Sequence, residues 1–69
     1  MMTVVKVIEL VGVSDRSWDD AVKEALKETA KTVRNIKKVE VVEFSGKVED
    51  DVITEYYARI KLYFEVERP

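Results

Sequence analysis

The side chains that most enzymes use for nucleophilic chemistry are missing from this sequence. The 69 residues contain no histidine and no cysteine, so neither a Ser–His nor a Cys–His pair can form. The serines at 14, 17 and 45 have no candidate base at a recognisable spacing, and capping or turn roles explain them better. The two glycines, Gly12 and Gly46, are too few for a phosphate-binding loop. Because 14 of the 69 residues are acidic, some pairs of neighbouring carboxylates are expected by chance, and such a pair is not evidence of an acid–base site. We therefore expect no enzyme activity.

Two further features have a candidate binding role. Calcium needs several converging oxygen atoms, and the acidic run Glu49, Asp50 and Asp51 offers some of them. The spacing of an EF-hand is absent, however, and we interpret this run as a solvated hairpin turn. Trp18, the single tryptophan, could stack on a ligand. Because it also begins an apolar helical stripe, we predict that it packs the helix onto a sheet.

Residues 4–13 are predicted to form the first strand, because β-branched and aliphatic side chains fill most of these positions. Only Lys6 and Glu9 within it are charged. Apolar side chains therefore lie on both faces of the strand, and we expect both faces to be at least partly covered. Gly12 and Ser14 mark its end.

A one-sided helix is predicted next. Ser17 is a suitable N-cap, and Asp20 forms a capping-box-like pair with it. Asp19 and Asp20 also complement the positive end of the helix dipole. The apolar positions recur at steps of three and four, to about Arg34, as one helical stripe does: Trp18, Ala21, Val22, Ala25, Leu26, Thr29, Val33 and Ile36. Charged residues occupy the opposite side, so the helix should lie on a sheet.

Two more strands complete an α+β fold of β-α-β-β order. The second strand is predicted over 39–48 with a bulge or bend at Gly46, the turn over 49–51, and the third strand over 52–66. Even positions of the third strand carry its apolar side chains, which identifies the face that packs the helix. With the third strand in the middle, in the order 1-3-2, every neighbouring pair of strands in the sheet is antiparallel.

A single domain of 69 residues has too small a core to be stable alone. Such a domain buries only about 60% of the surface that its unfolded chain exposes, and core burial scarcely exceeds the entropy cost of ordering. Disulfides are excluded, and the usual zinc ligands are missing. Partner subunits remain, and they would also cover the apolar strand edge at 39–44. We therefore expect a homo-oligomer.

Charge and hydropathy argue against other partner classes. A net charge of -2 and a pI near 5.1 do not suit a nucleic-acid binder, which normally has a basic patch. No apolar run reaches the length of a membrane span. The first residues lack the features of a signal peptide, so a cytoplasmic protein is expected. Many Lys and Glu residues, no glutamine and one asparagine are typical of hyperthermophile proteins.

In this order of elements, the chain resembles the dodecins. The resemblance covers nearly the whole sequence, and several segments in register carry it together. These are the first strand KVIELVGVS at 6–14, Ser17 and Trp18 at the helix start, TVRNI at 32–36, and ITEYYARIKLYFEV at 53–66.

The resemblance implies a hollow homododecamer built from trimers. Flavin-binding dodecins hold pairs of flavins, such as riboflavin or FMN, at trimer interfaces and buffer free flavin without catalysing a reaction. A tryptophan shortly after the helix stacks on the flavin ring in those members, and a glutamine of the last strand borders the pocket. The matching positions here are Lys38 and Tyr57.

Both replacements bear on the ligand. Stacking contributes about 1–3 kcal/mol per ring, so its loss predicts much weaker flavin binding. Lys38 can still attract a phosphate, and Tyr57 offers a partial stacking surface. The pattern is also similar to a second branch of the family, described as calcium-binding, which lacks the flavin tryptophan. No metal-ligand motif of that branch can be matched to this sequence. Small-ligand storage and a cation-binding shell therefore remain alternatives.

Overall fold

The computed structural model describes residues 3–66, and over this range it contains one helix and three strands. Strand β1 spans Val5–Ser14, helix α1 Trp18–Thr29, strand β2 Ile36–Glu49 and strand β3 Val52–Glu65. β3 lies between β1 and β2 and pairs antiparallel with both. The predicted β-α-β-β order and the 1-3-2 strand order are confirmed.

The junction between α1 and β2 differs from the prediction. The helix ends at Thr29 rather than near Arg34, and β2 begins at Ile36 rather than at Val39. Ile36 fits the apolar period of the helix because it packs against the core. It lies in β2, however, and not in α1. A periodic pattern therefore extended the predicted helix into a segment that forms turns.

Local chemistry explains why the helix stops. The N–H groups of Lys31 and Thr32 donate to carbonyl oxygens three residues earlier, at 3.3 and 3.1 Å, as in the tighter turns of a helix end. Thr32 and Val33 are β-branched and lose side-chain freedom in a helix. Asn35 then adopts a positive φ of 63°, a conformation that asparagine tolerates better than most residues.

The helix begins as predicted, at the N-cap Ser17. The Oγ of Ser17 accepts a hydrogen bond from the backbone N–H of Asp20 at 3.0 Å. The Asp20 carboxylate does not complete a capping box. It instead accepts hydrogen bonds from Ser14 Oγ at 2.7 Å and from the Arg16 guanidinium at 3.0 Å. These bonds hold the pKa of Asp20 below its ordinary value, and the bond from Ser14 has the largest effect. They also tie the end of β1 to the first turn of α1.

The core lies between α1 and the sheet. Its buried apolar residues come from one side of the helix and from alternate positions of β3, as the period of two predicts: Ala21, Ala25, Ala58, Ile60 and Leu62. Ile8 and Leu10 of β1 pack against this group from the next strand. Of the large side chains, only Ile60 and Leu62 are fully buried, so the core of residues 3–66 is small.

Close contact between α1 and β1 depends on Gly12. A Cβ atom at this position would lie 2.1 Å from the carbonyl oxygen of Ala21 and 3.0 Å from the Cβ of Ala25. The backbone of the helix therefore rests directly on the backbone of the strand. Glycine is required here for space, because its φ is not positive.

β2 and β3 are joined by a two-residue turn. Asp50 and Asp51 have φ values of 51° and 67°, and two consecutive positive φ values are what a type I′ hairpin turn requires. The turn was therefore predicted at the right place. The bulge expected at Gly46 lies one step away, since the register with β3 shifts between Lys47 and Val48. Gly46 leaves space beside the ring of Trp18, whose Cζ2 would be 3.9 Å from an added Cβ.

The molecule is long for its mass. Its radius of gyration is 14.4 Å and its longest extent is 54 Å, whereas a compact domain of this length has a radius near 11 Å. The excess comes from the hairpin of β2 and β3, which extends past the end of β1. The last residue of β1, Ser14, pairs with Tyr56, so residues 47–55 form a two-stranded projection, called here the arm.

We expect Gly12→Ala to destabilise the fold by about 1–3 kcal/mol, the usual cost of forcing extra atoms into packed structure. The helix backbone would have to move away from β1. Urea unfolding at one fixed protein concentration measures this, because the stability of an assembling chain depends on concentration. Gly46→Ala is the matched control with a smaller expected loss, since its closest side-chain contact is 3.2 Å. Equal unfolding midpoints for wild type and Gly12→Ala would contradict the packing argument.

Candidate functional site

Lys38 lies near the start of β2, on the face of the sheet opposite α1, called here the outer face. It pairs with Tyr63 of β3, and its Nζ is 4.7 Å from the centroid of the Tyr63 ring. This distance is within the range of a cation–π interaction. Lys38, which the sequence predicted to be a ligand-contacting residue, therefore contacts an aromatic ring of its own chain.

A glutamate completes this cluster. The Tyr63 hydroxyl donates a hydrogen bond to Oε1 of Glu40 at 2.6 Å. The bond raises the pKa of Tyr63 above its ordinary value and lowers the pKa of Glu40, which the positive charges of Lys38 and Lys61 lower further. Lys38, Tyr63 and Glu40 thus form a cluster of one cation, one ring and one anion.

Tyr57 is on the same face but far from Lys38. It pairs with Ser45 of β2 and Val13 of β1, and its hydroxyl donates to Oε1 of Glu55 at 2.7 Å. This bond raises the pKa of Tyr57. Six residues of extended chain separate Tyr57 from Tyr63, which is about 20 Å. One chain therefore does not bring the two predicted site residues together, and a pocket containing both would need a second copy.

Between these positions the outer face is polar at its centre and apolar along β1. Arg59 lies within 3.4 Å of a Glu9 carboxylate oxygen and 3.6 Å of a Glu43 oxygen, so it bridges all three strands. Such exposed pairs contribute little stability. Along β1, a row of valines faces outwards, each between 48% and 50% exposed: Val5, Val7, Val11 and Val13. The sequence predicted that both faces of β1 are at least partly covered, and in the single chain this face is half-exposed.

Trp18 has the packing role that the sequence predicted. Its Nε1–H donates to the carbonyl oxygen of Ser45 at 2.8 Å. The ring meets Tyr56 edge-on at 4.9 Å between centroids and lies 6.0 Å from Phe44. The indole therefore joins the start of α1 to both strands of the hairpin, on the face opposite to that of Lys38.

A groove that sequence reasoning missed lies between the end of α1 and the start of β2. It has a volume of about 710 Å³. Apolar side chains form much of its lining, and three cations and an asparagine join them. The lining residues are Leu26, Ala30, Val33, Arg34, Asn35, Ile36, Lys37, Lys38 and Val39. The sequence did carry a signal for this groove, since three of the five residues at 34–38 are basic. It was missed because the helix was predicted to continue to about Arg34, which left no groove at this place.

No group of three or more Asp and Glu side chains in the part of the chain that the structure describes could hold a metal ion. Glu49 instead lies 3.7 Å from Lys47 Nζ and accepts a hydrogen bond from Thr54 at 3.2 Å. Within the same residues, the one helix is too short and too polar to cross a membrane.

Comparison with known proteins identifies the family. The family model described as Dodecin matches residues 4–67. The chain belongs to the dodecin family. The resemblance inferred from the strand and helix segments is thereby confirmed. No curated protein sequence matches the chain significantly.

Solved dodecin structures share the whole fold. The dodecin of Streptomyces coelicolor is 30% identical, with a TM-score of 0.92 over 97% of this chain and 96% of that one. A point mutant of the Thermus thermophilus dodecin is 31% identical, with a TM-score of 0.94 over 99% and 100%. The calcium dodecin of Mycobacterium tuberculosis, described as a calcium-chelating antigen with a novel calcium-binding site, is 28% identical, with a TM-score of 0.82 over 96% and 97%.

Proposed function

We propose that this dodecin is a non-catalytic subunit of a hollow homododecamer built from trimers, and that the shell stores or sequesters a small ligand of the flavin type. The observation that carries the proposal is the open outer face, with its row of half-exposed valines on β1. A monomer would leave this row in water, at a cost of roughly 25 cal/mol for each Å² of apolar surface.

Other exposed apolar residues support the same conclusion. α1 covers little of β2, and four apolar side chains of this strand are 40–53% exposed: Val39, Val41, Val42 and Phe44. β1 and β2 are also the two edge strands of the sheet, with backbone groups free to pair. Long apolar edges are protected in natural proteins, and partner copies can cover both edges and both faces.

The cluster at Lys38 supports weak flavin binding. A flavin ring that entered between two copies would meet a lysine already placed over Tyr63, instead of an indole. Each lost stacking contact costs about 1–3 kcal/mol, and about 1.4 kcal/mol is a factor of ten in affinity. Lys38 and Tyr57 remain the proposed ligand-contacting residues, with an anionic or hydroxylated ligand favoured over a bare aromatic ring.

The first test is the mass of the native protein. Twelve copies of the 8.0 kDa chain have a mass of about 96 kDa, and we expect this species in native mass spectrometry and analytical ultracentrifugation at micromolar concentration. A monomer that persists at these concentrations would contradict the proposal. Val7→Lys and Val11→Lys, which place charges in the valine row, should shift the distribution to smaller species.

The second test restores the stacking residue. Lys38→Trp should bind riboflavin or FMN about 5- to 150-fold more tightly than wild type, since one ring contact of about 1–3 kcal/mol is regained. Quenching of flavin fluorescence on titration with protein measures this. Lys47→Trp, on the exposed arm, makes the same chemical change away from the site and should not improve binding. If both variants behave alike, Lys38 does not occupy the stacking position.

The alternative is a shell that binds calcium or another cation. It is favoured by the similarity to the calcium dodecin of Mycobacterium tuberculosis. Because no single chain assembles three acidic groups within residues 3–66, such a site would need carboxylates from several copies. Exposed acids at 9, 43 and 49–51 are available for this.

Thermal unfolding separates the alternatives. A cation bound only by the native shell, at a concentration one hundred times its dissociation constant, stabilises it by about 2.7 kcal/mol. On the cation alternative, millimolar calcium should therefore raise the melting temperature by several degrees and a chelator should reverse the rise. Identical melting temperatures in calcium, magnesium and chelator would exclude this alternative and leave the small-ligand proposal in place.

A further inference from the structure

The two ends of this elongated chain carry opposite charge. At one end, the tip of the arm has three consecutive acidic residues, Glu49, Asp50 and Asp51, all exposed. At the other end, the groove beside α1 has Arg34 and Lys37 exposed at its lining, and none of the described residues that line it is acidic. Within residues 3–66, neither these two cations nor Asp50 and Asp51 take part in an ion pair.

Apolar surface accompanies the charge at both ends. Beside the acidic tip, Val48 and Val52 are 62% and 61% exposed, the largest exposures among the large apolar residues of the described chain. The lining of the groove includes Leu26, Val33 and Ile36. An apolar element with an acidic tip and an apolar groove with basic residues are complementary in both properties, and complementary charge orients such contacts.

One chain cannot make this contact with itself. Ten residues of strand β2 separate Val39, at the groove, from Glu49, at the arm tip, which is about 33 Å at the rise of an extended strand. The molecule is 54 Å long, and the two features lie towards its opposite ends. The occupant of the groove must therefore come from another molecule.

We propose that the arm of one copy docks into the groove of a second copy of the same chain. The inference rests on the self-assembly proposed above and names one contact that would build it. Because each copy offers one arm and one groove on different surfaces, the contact is head-to-tail, and a head-to-tail contact generates a closed ring when its rotation closes. A ring of three copies is the trimer from which the shell would be assembled.

The arm itself gives a further reason for a partner. Residues 47–55 form two strands without a third, since β1 ends opposite Tyr56. An isolated two-stranded hairpin is marginally stable in water. Docking into a groove would bury Val48 and Val52 and hold the arm in one position.

Cross-linking between two introduced cysteines tests the contact directly, because the chain has none of its own. The first double variant carries Val52→Cys at the arm tip and Lys37→Cys at the groove. A short bismaleimide should join neighbouring copies into covalent dimers and closed trimers on a denaturing gel. Val52→Cys with Lys23→Cys is the matched control, because Lys23 is exposed on α1 and outside the groove. Equal cross-linking of the two variants, or none in the first, would overturn the proposal.

Charge exchange provides an independent test. Glu49→Lys and Lys37→Glu each place like charges across the contact, and each alone should lower the assembled fraction at least tenfold near the midpoint of dissociation. The two changes in one chain restore the opposite charges, and assembly should recover. Recovery would support the docked arm, whereas additive losses would contradict it. Each variant should fold, since both side chains are exposed, and circular dichroism checks this.

The native mass separates this contact from the general proposal. A wild-type chain that stays monomeric would overturn both the shell and the docked arm. A wild-type shell of about twelve copies whose assembly is unaffected by charge exchange, and which gives no selective cross-link, would overturn only the docked arm.

Discussion

Within residues 3–66, α1 is the only element that packs on the sheet, and it covers one face of it. The contact is close because Gly12 allows the helix backbone to approach the strand, with Ala21 and Ala25 as the side chains between them. Small residues at this interface bring the layers together but contribute little apolar area. Among the described residues, only Ile60 and Leu62 are large and fully buried. The single chain therefore has a well-packed but small core, and its remaining apolar surface requires partners.

The outer face combines that requirement with the chemistry proposed for the protein. Its valine row is suited to contact with another copy, while its centre and ends carry ion pairs and tyrosine–glutamate hydrogen bonds. At the proposed ligand position, Lys38 is a cation held over a ring of the same chain, that of Tyr63. The fold is shared with the solved dodecins, so a ligand site proposed at this face would be distinguished by its charged side chains.

Much of the fold could be predicted from the sequence. Alternation along β3 identified the face that meets the helix, and Ser17 located the start of α1. The acidic turn was placed correctly because two residues that tolerate positive φ lie between apolar strands. The predicted helix end was wrong because Val33 and Ile36 continue the helical period, whereas the helix ends at Thr29, ahead of the β-branched Thr32 and Val33 and the positive φ of Asn35. Periodicity reports which residues are buried, and a turn or a strand can also bury them.

The candidate site could be predicted only in part. A family resemblance selected Lys38 and Tyr57, yet nothing in the sequence set the face that they share or the distance between them, because both depend on the pairing of β2 with β3. Glu40 lies two positions from Lys38 on the same strand, whereas Tyr63 is 25 positions away and neighbours both only through the pairing of β2 with β3. The basic groove was missed for the same reason, since it forms where the end of a helix meets the start of a strand.

The sequence by itself determined the elements, their order and the need for partners, because these follow from local periodicity, capping residues and the size of the core. Tertiary structure alone decided which charged groups of different strands meet, because that depends on register and on the rise of each strand. It also separated the arm from the groove by tens of ångströms, since a long antiparallel hairpin places its turn far from the start of its first strand. The opposition of charge between the two ends is therefore a property of the folded chain, although every residue in it was visible in the sequence.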